Sequence, residues 1–505
     1  MQYLNPIIPG FHPDPSICRV GRDYYLVTSS FEYFPGVPIF HSRDLVHWQR
    51  IGHCLTRESQ LNLHNAPSSG GIYAPTIRYD NGCFFMVTTN MSGRGNFYVH
   101  STDPSGEWSD PVWLKQGGID PSLLFENDTV YLTSNGLNWQ DKWGIYQSEL
   151  DIRTGEFLTE PRFIWGGTGG RYPEAPHLYK IGDTYYLMIA EGGTEYTHME
   201  TIARSDSPWG PFEPCPHNPI LSHRSRPSPI QATGHGDLVQ DHNGNWWMVF
   251  LAVRPNKGLW HHLGRETFLA PVEWENGWPV VGEDGRVNIE MDGPLPANKP
   301  FPAPPERDDF DASKLRPCWN FLRNPAPGDW SLSNRESHLS LHGSAVSLDD
   351  TDSPAFVGRR QQHFDFRAMA LVDFAPRDTG EEAGVTAYMN ERHHYDLGLI
   401  RSGDRKTVAL TCRIGFLKKQ IACKTAPDGP VELAVSADAD TYCFTYAAEG
   451  GSHQELAAVP TRYLSKEVAG GFTGIFLGMY ATGNGQPCNA PAHFDWFDYE
   501  PLQTE

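Results

Sequence analysis

The sequence predicts an all-β protein in which a five-bladed β-propeller is followed by a β-sandwich. Three observations lead to this prediction. One pattern of short strands and turns recurs five times before residue 290. A proline-rich stretch follows, and beyond it the chain carries a second set of short alternating strands. Helical periodicity is nearly absent, because apolar residues alternate or run together instead of recurring every three or four positions.

Each copy of the repeated pattern is a strand, a tight turn and a second strand that is strongly aromatic or apolar. Gly, Asn and Asp occupy the turns, as β-hairpins require. The copies read DPSICRVGRDYYLVTS, APTIRYDNGCFFMVTT, DPSLLFENDTVYLTS, EAPHLYKIGDTYYLMIA and HGDLVQDHNGNWWMVF. A repeat of roughly 45–60 residues with about four strands is typical of propeller blades. The five copies therefore predict a propeller over residues 1–292.

The chain changes character after the last repeat. Six prolines fall between Pro294 and Pro305, which predicts a stiff polyproline connector over residues 293–309. Beyond the connector, strand-like runs such as RAMALVDFA, AGVTAYMNE and KTVALTCRIG are separated by turns rich in Gly and Asp. A single β-sandwich over residues 310–505 accounts for this pattern.

Composition excludes several classes of partner. The formal net charge of −21 argues against nucleic acid and against anionic membrane surfaces, since both require a basic footprint. The chain has no run of about 18 apolar residues, so we expect no membrane span. A neutral substrate fits the charge, and the aromatic content of 12% suits sugars, whose C–H faces stack on aromatic rings.

The cysteines and the first residues predict a cytoplasmic location. The opening MQYLNPIIPG lacks the charged and apolar regions of a secretory signal. Nine cysteines are scattered along the chain without a CxxC pair, as is usual for proteins of a reducing compartment.

The residues that open the five repeats are the candidate functional residues. In a propeller the first strand of each blade lines the central axis, so residues far apart in sequence meet at one end of that axis. The five opening positions hold Asp14, Ala74, Asp120, Glu174 and His235. Three of these five residues are carboxylic acids, which we expect to converge on one axial pocket.

Cleavage of a glycosidic bond requires at least two carboxyl groups on opposite sides of a pocket. One must be protonated to donate to the leaving oxygen, and the other must be ionised to activate water or to attack. A third carboxylate can raise the pKa of the acid by like-charge repulsion. Asp14, fixed between Pro13 and Pro15, suits a water-activating base, and the longer Glu174 suits a proton donor.

Other chemistries are less well supported. His235 points at the same axis as the acids, where it is a candidate ligand for a divalent cation or an orienting group for an acid. His261 and His262 are adjacent, which is not a metal-ligand spacing. The chain contains no GxSxG elbow, P-loop or HExxH motif.

At these residues the chain resembles family 43 of the glycoside hydrolases, in its β-xylosidase and α-L-arabinofuranosidase branch. The motifs that carry the resemblance span nearly the whole chain in the correct order. They are NPIIPGFHPDPS, FEYFPGVPIFHSRDLVHW, SSGGIYAP, GGIDPS, RYPEAPH, ATGHGD, LGRETFLAPV and GGFTGIFLGM. The resemblance implies a five-bladed propeller followed by a concanavalin-like sandwich, and an inverting mechanism.

The resemblance also implies roles for individual residues. Asp14 corresponds to the general base, Glu174 to the general acid, and Asp120 to the residue that tunes the acid. Arg265 resembles the arginine that grips sugar hydroxyls, and His235 resembles an axial histidine that binds a divalent cation, usually calcium, in some relatives. Inversion requires a water between base and sugar, with the two carboxyls roughly 6.5–9.5 Å apart.

Three aromatic residues are predicted to contact the sugar by the same resemblance. Phe31 resembles a residue that lines the pocket, and Phe476 resembles a sandwich residue that closes one end of it. Tyr73 departs from the tryptophan that many β-xylosidases of this branch carry, so the preferred sugar is open.

Together these observations predict an exo-acting inverting glycosidase that releases D-xylose or L-arabinose from the non-reducing ends of small oligosaccharides. No cofactor is expected to be required, and calcium is the candidate cation. Relatives are often dimers or tetramers, so a homo-oligomer is expected. Two alternatives stay open at this point, namely an endo-arabinanase and a sugar-binding propeller without catalytic activity.

Overall fold

The computed structural model describes residues 1–137, 143–297 and 300–502. The described chain is almost entirely β, with one short 3₁₀ turn at Thr461–Leu464 and one helical turn at Lys466–Ala469. Five sheets form a propeller, and two larger sheets form a sandwich behind it. The predicted fold class is thereby confirmed.

Each blade consists of antiparallel strands that pair in chain order, except that the last strand of blade 3 pairs with the third. Blade 1 contains Ser16–Val20, Asp23–Val27, Gly36–Ser42 and Gln49–Leu55. Blade 2 contains Thr76–Asp80, Cys83–Asn90, Gly95–Ser101 and Val112–Trp113. Blade 3 contains Ile119–Glu126, Thr129–Leu137, Trp143–Asp151, Glu156–Phe157 and Arg162–Trp165. Blade 4 contains Glu174–Ile181, Thr184–Glu191, Met199–Ser205 and Glu213–Pro214. Blade 5 contains Gln231–Gln240, Trp246–Val253, Glu266–Glu275 and Trp278–Val281.

The five first strands contact one another in a closed ring, so they line the axis as expected. The chain start lies along blade 5, where Gln2–Leu4 pairs with Glu290–Asp292. The Asn5 side-chain amide donates to the Leu269 carbonyl (2.9 Å). The two ends of the propeller domain are thereby held together.

A buried polar network around Asp237 joins four of the five blades. Its carboxylate accepts hydrogen bonds from Ser16 Oγ of blade 1 (2.7 Å) and Tyr179 OH of blade 4 (2.7 Å). Arg78 of blade 2 donates through both terminal nitrogens (2.8 and 3.1 Å). Burial alone would raise the pKa of Asp237, but Arg78 and His177 hold that pKa well below its usual range. We call this cluster the axial network.

The sandwich consists of two antiparallel sheets that share one apolar core. One sheet contains Arg307–Asp308, Trp330–Ser331, Leu339–Leu341, Phe366–Asp373, Val431–Ala437, Thr441–Ala448, Gln454–Pro460 and Ala492–Pro501. The other sheet contains Ala355–Arg360, Glu382–Asn390, His393–Ser402, Arg405–Ile414, Leu417–Thr425 and Phe476–Thr482.

The segment between the domains is largely free of strands in its described part. The connector predicted over residues 293–309 includes residues 298 and 299, which lie outside the described residues, as do residues 503–505 of the predicted sandwich. Within the described part, Arg307–Asp308 already pairs with the last sandwich strand.

Aromatic packing joins the two domains. The Phe476 ring stacks on Tyr33 of the propeller with 3.7 Å between centroids, and Phe11 lies 6.2 Å from the same ring. A two-stranded sheet formed by Tyr33–Phe34 and Phe321–Leu322 crosses the boundary. Because these groups are buried together, the sandwich is a fixed wall beside the propeller axis.

The nine cysteines are all free thiols, in agreement with their scattered spacing. No helix among the described residues is long and apolar enough to cross a membrane.

We predict that His394 makes the stability of the protein pH-dependent. Burial alone would lower the pKa of this fully buried imidazole, but Asp396 and Asp349 (2.8 and 3.2 Å) raise it to about 9. Its stabilising contribution is therefore complete below the ordinary pKa of 6.5 and is lost as the pH rises towards 9. The free energy of unfolding should fall by up to about 3 kcal/mol over this interval.

Urea titrations followed by tryptophan fluorescence at a series of pH values measure this change. In His394→Gln the decrease between neutral pH and about pH 9 should vanish, whereas the exposed His217→Gln should keep the profile of the wild type. Parallel profiles for the wild type and His394→Gln would contradict the prediction.

Candidate active site

Three of the residues that open the blades, and the residue that follows Glu174, have an unusual backbone conformation. Asp14, Asp120, Ala175 and His235 have φ of 55°, 53°, 53° and 51°. Left-handed conformations are uncommon for residues other than glycine, and they cluster at functional sites. In blades 3, 4 and 5 the pairing register also shifts at this point, as in a β-bulge. A bulge redirects side chains, and here it accompanies the turn of the acids towards the axis.

Asp14 is buried and held by three side chains. Arg265 donates to both of its oxygens, through Nη1 at 2.6 Å and Nη2 at 3.4 Å. Ser29 Oγ donates to Oδ2 (2.5 Å), and His235 Nδ1 lies 3.5 Å from Oδ1. The backbone N–H of His12 donates to the carbonyl of Arg265 (3.0 Å), so the segment before Asp14 is tied to the arginine that binds it. The orientation of this carboxylate is thereby fixed.

Arg265 connects the acids to the wall of the pocket. Its Nη1 also donates to Thr194 Oγ1 (3.2 Å), and Nη2 donates to the Phe472 carbonyl (3.4 Å). Its guanidinium lies 5.6 Å from the Phe31 ring centre and 5.7 Å from that of Phe472. One arginine therefore contacts blade 1, blade 4 and the sandwich.

Glu174 and Asp120 are a coupled pair of carboxyl groups. The backbone N–H of Ala175 donates to Asp120 Oδ2 (3.1 Å), which places Asp120 directly beside the peptide of Glu174. Burial, followed by the charges of Asp120 and Asp14, raises the pKa of Glu174 well above its ordinary value. Burial and the Asp14 charge also raise the pKa of Asp120, although His235 opposes the shift. This environment favours a protonated carboxyl group at Glu174, which is what a proton donor requires.

A cavity of about 910 Å³ lies at the boundary between the propeller and the sandwich. Its walls come from both domains. They include Ser69, Tyr73, Met91 and Glu195 from the propeller, and Lys466, Gly471 and Phe472 from the sandwich. Tyr73 and Phe472 also pack on Phe31, at 5.2 and 6.1 Å between ring centroids, so the cavity adjoins Arg265 and the acids.

The wall of the cavity is closed by direct contacts between the domains. Lys466 forms an ion pair with Glu195, and Glu467 accepts hydrogen bonds from Tyr196 OH (2.7 Å) and the His261 backbone N–H (2.9 Å). On the opposite side, the Phe472 N–H donates to Ser69 Oγ (2.8 Å). The sandwich therefore bounds the cavity rather than standing apart from it.

Of the predicted sugar-binding residues, one is placed elsewhere. Phe476 is 0% exposed, since it packs against Tyr33 and Phe11 between the domains. The contact between Phe476 and the sugar therefore stays a prediction that this packing does not support. Phe472, four residues earlier in the same motif, is the sandwich aromatic that lines the cavity.

The structure brings Asp14, Asp120, Glu174 and His235 together on the axis, as the repeats predicted, and Arg265 contacts Asp14 there. Sequence reasoning missed three residues that contact this group, namely Ser29, Thr194 and Phe472. Thr194 and Phe472 lie outside the repeated motif, and Ser29 is the last residue of its first copy, where no periodic signal marks a role for it.

The described residues do not fit the metal site suggested for His235. Calcium takes about six to eight oxygen ligands. The part of the chain that the structure describes contains no group of three or more His, Cys, Asp or Glu side chains arranged to hold a metal ion. Asp14, the carboxylate beside His235, is instead paired with Arg265. We therefore derive no catalytic step through a metal.

A propeller with an arginine-held carboxylate facing a carboxyl group of raised pKa has the site of a glycoside hydrolase. Comparison with known sequences agrees with this class. The family described as Glycosyl hydrolases family 43 matches residues 3–279, and the Beta xylosidase C-terminal Concanavalin A-like domain matches residues 307–500. The chain belongs to family 43 of the glycosyl hydrolases, and it is a glycosidase.

Similar proteins include enzymes named for two sugars. A non-reducing end alpha-L-arabinofuranosidase of Bacteroides ovatus is 48% identical, over 99% of this chain and 95% of its own length. A beta-xylosidase of Bacillus subtilis is 35% identical, over 99% of this chain and all of its own (100%). The solved structure of Bacteroides ovatus Xyloglucan PUL GH43B superposes with a TM-score of 0.96 at 46% identity, covering 99% of this chain and 100% of that chain.

We predict that Arg265→Lys lowers kcat/KM by on the order of 10²-fold, because a lysine cannot hold both oxygens of Asp14 and also contact Thr194 and Phe472. Steady-state kinetics with an aryl glycoside measure the loss, and the thermal midpoint should change little.

Arg307→Lys is the matched control, since Arg307 makes a two-point ion pair with Asp498 (2.7 and 2.6 Å) within the sandwich. It should retain the activity of the wild type. If Arg265→Lys were equally active, the proposed role of Arg265 at the site would be wrong.

Proposed function

We propose that this enzyme is an exo-acting, inverting glycosidase that releases L-arabinose, and to a lesser extent D-xylose, from the non-reducing ends of small oligosaccharides. The observation that supports the proposal most strongly is the different environment of its axial carboxyl groups. Asp14 is paired with Arg265, whereas burial and neighbouring negative charge raise the pKa of Glu174. One axis thus carries an ion-paired carboxylate and a carboxyl group that retains its proton.

Asp14 acts as the general base. It removes a proton from a water molecule as that water attacks the anomeric carbon of the terminal sugar. Ser29, Arg265 and His235 hold the carboxylate in place during this step. Blades 1 and 4 are not adjacent in the ring, which supports a gap between Asp14 and Glu174 wide enough for sugar and water.

Glu174 acts as the general acid. It gives its proton to the glycosidic oxygen as the bond to the leaving group breaks. Asp120 keeps Glu174 protonated through its negative charge, and it fixes the adjacent peptide through the Ala175 N–H. Activity should therefore persist until the pH rises through the raised pKa of Glu174 and the donor loses its proton.

Arg265 and the aromatic rings hold the terminal sugar. The two terminal nitrogens of Arg265 lie between Asp14 and the cavity, where they donate to sugar hydroxyls. Phe31, Tyr73 and Phe472 supply apolar surface for the ring of the sugar.

The cavity supports an exo cut rather than an endo cut. An endo-arabinanase requires a cleft through which a polymer chain passes. In this protein Lys466 with Glu195, and Phe472 with Ser69, join the domains on two sides of the cavity. A cavity bounded in this way suits the terminal residues of short chains.

The relative with 48% identity is named an arabinofuranosidase, and this supports arabinofuranosides as the preferred substrates. Tyr73 lines the cavity at the position where the resemblance leads one to expect tryptophan in β-xylosidases. A smaller aromatic leaves room for a furanose ring with its exocyclic carbon.

The first test compares kcat/KM on aryl α-L-arabinofuranoside and aryl β-D-xylopyranoside, each with EDTA and with added calcium. We expect a preference of about tenfold or more for the arabinofuranoside, and rates that agree within about twofold with and without calcium. Proton NMR of the first product should show an inverted anomeric configuration. A retained configuration, or hydrolysis of neither substrate, would overturn the proposal.

We also propose that copies of the chain associate through the sandwich edge at Leu417–Thr425. Phe416, Leu417 and Ile421 are 87%, 62% and 41% exposed, and exposed apolar residues on an edge strand favour association. Light scattering coupled to size exclusion should give a dimer or tetramer, which Phe416→Asp dissociates. A monomeric wild type would contradict this.

A further inference from the structure

A buried carboxylate, Glu191, contacts the loop that leads into Glu174. Glu191 is the last residue of the strand Thr184–Glu191 in blade 4, and it is 0% exposed. The loop at residues 166–173 connects the outer strand of blade 3, Arg162–Trp165, to the strand that begins at Glu174. The conformation of this loop therefore determines where Glu174 enters the axis.

Both carboxylate oxygens of Glu191 accept hydrogen bonds from this loop. Oε1 accepts from the backbone N–H groups of Gly170 (2.8 Å) and Thr168 (3.1 Å). Oε2 accepts from the N–H and the hydroxyl of Thr168 (3.0 and 2.9 Å) and from the Thr201 hydroxyl (2.7 Å). These donors are neutral, so among the residues that the structure describes the carboxylate is held by hydrogen bonds and not by a cation.

The glycines of the sequence WGGTGGRYPE make room for this carboxylate. A Cβ on Gly167 would lie 2.6 Å from Glu191 Oε1, and one on Gly170 would lie 2.8 Å from the same atom. Gly167 also has φ of +76°, a conformation that other residues rarely adopt. The loop and the carboxylate are thus complementary in shape as well as in hydrogen bonding.

The strand that carries Glu191 also pairs with the strand of Glu174. Glu174 lies opposite Ala190, the neighbour of Glu191, and the Gly192 N–H donates to the Arg171 carbonyl (2.6 Å). Residues 190–192 therefore contact the chain both at Glu174 and three residues before it. Burying a carboxylate costs free energy, which the hydrogen bonds to its oxygens offset.

We propose that Glu191 is a positioning residue for proton donation. It fixes the glycine-rich loop so that the carboxyl group of Glu174 stays directed at the leaving oxygen. This inference rests on the proposed function, in which Glu174 is the proton donor. Glu191 does not contact the substrate, so its effect is on the acid-assisted step and not on sugar binding.

The leaving group provides the test. A nitrophenolate departs with little help from an acid, whereas a methoxide or sugar alkoxide must be protonated as it leaves. We measure Glu191→Gln on the 4-nitrophenyl and the methyl glycoside of the sugar that the enzyme cleaves. We expect kcat to fall by about tenfold or more on the methyl glycoside and by less than about threefold on the nitrophenyl glycoside, with KM nearly unchanged.

Glu381→Gln is the matched control. Glu381 is also a buried carboxylate that accepts backbone N–H bonds from loops, from Arg377, Asp378, Asn489 and Ala490, but it lies in the sandwich. It should lower kcat on the two substrates equally or not at all. Thr168→Ala removes one exposed hydroxyl that donates to Glu191 Oε2, so it should lower kcat by less, with the same selectivity for the methyl glycoside. This variant tests the positioning role if Glu191→Gln does not fold.

Glu174→Ala separates the two proposals. In one outcome, Glu174→Ala lowers kcat selectively on the methyl glycoside, while Glu191→Gln and Thr168→Ala lower kcat equally on both substrates or not at all. That result would overturn the positioning role alone. Equal losses on both substrates in Glu174→Ala would overturn the assignment of Glu174 as the donor, and the inference with it.

Discussion

The axial network is the constraint on which the active site depends. Asp237, completely buried, binds Ser16, Arg78 and Tyr179, so one carboxylate connects blades 1, 2, 4 and 5. Ser16 lies two residues after Asp14, and Asp237 lies two residues after His235. The residues of the axial network thus fix the spacing of Asp14 and His235 in the site. Removing one partner of such a buried pair typically costs about 3–5 kcal/mol, because the other charge is left uncompensated.

Several carboxyl groups lie close together on the same axis, and only some of them are paired with a cation. Arg265 pairs with Asp14, whereas burial, followed by the negative charge of neighbouring carboxyl groups, raises the pKa of Glu174, and burial and the Asp14 charge raise the pKa of Asp120. Side chains of the same chemical type thereby have different environments. The backbone of the arginine that pairs with Asp14 is tied to the segment before that carboxylate.

The sandwich completes the pocket because it is rigidly joined to the propeller. Stacking of Phe476 on Tyr33 buries aromatic surface between the domains, and this fixes the preceding loop, in which Phe472 faces the cavity. Phe472 in turn packs near Arg265 and Phe31. The wall of the sugar site therefore depends on packing that lies outside the site.

The sequence by itself determined the five blades, the sandwich and the axial placement of Asp14, Asp120, Glu174 and His235, because a repeated strand pattern has only one way to close into a ring. It did not indicate that Phe472 lines the cavity, since Phe472 and Phe476 lie in one apolar motif. Ser29, Thr194 and Glu191 also had no local signal. Their contacts with Asp14, Arg265 and the loop before Glu174 join residues that are not neighbours in the chain, so tertiary structure alone decided them.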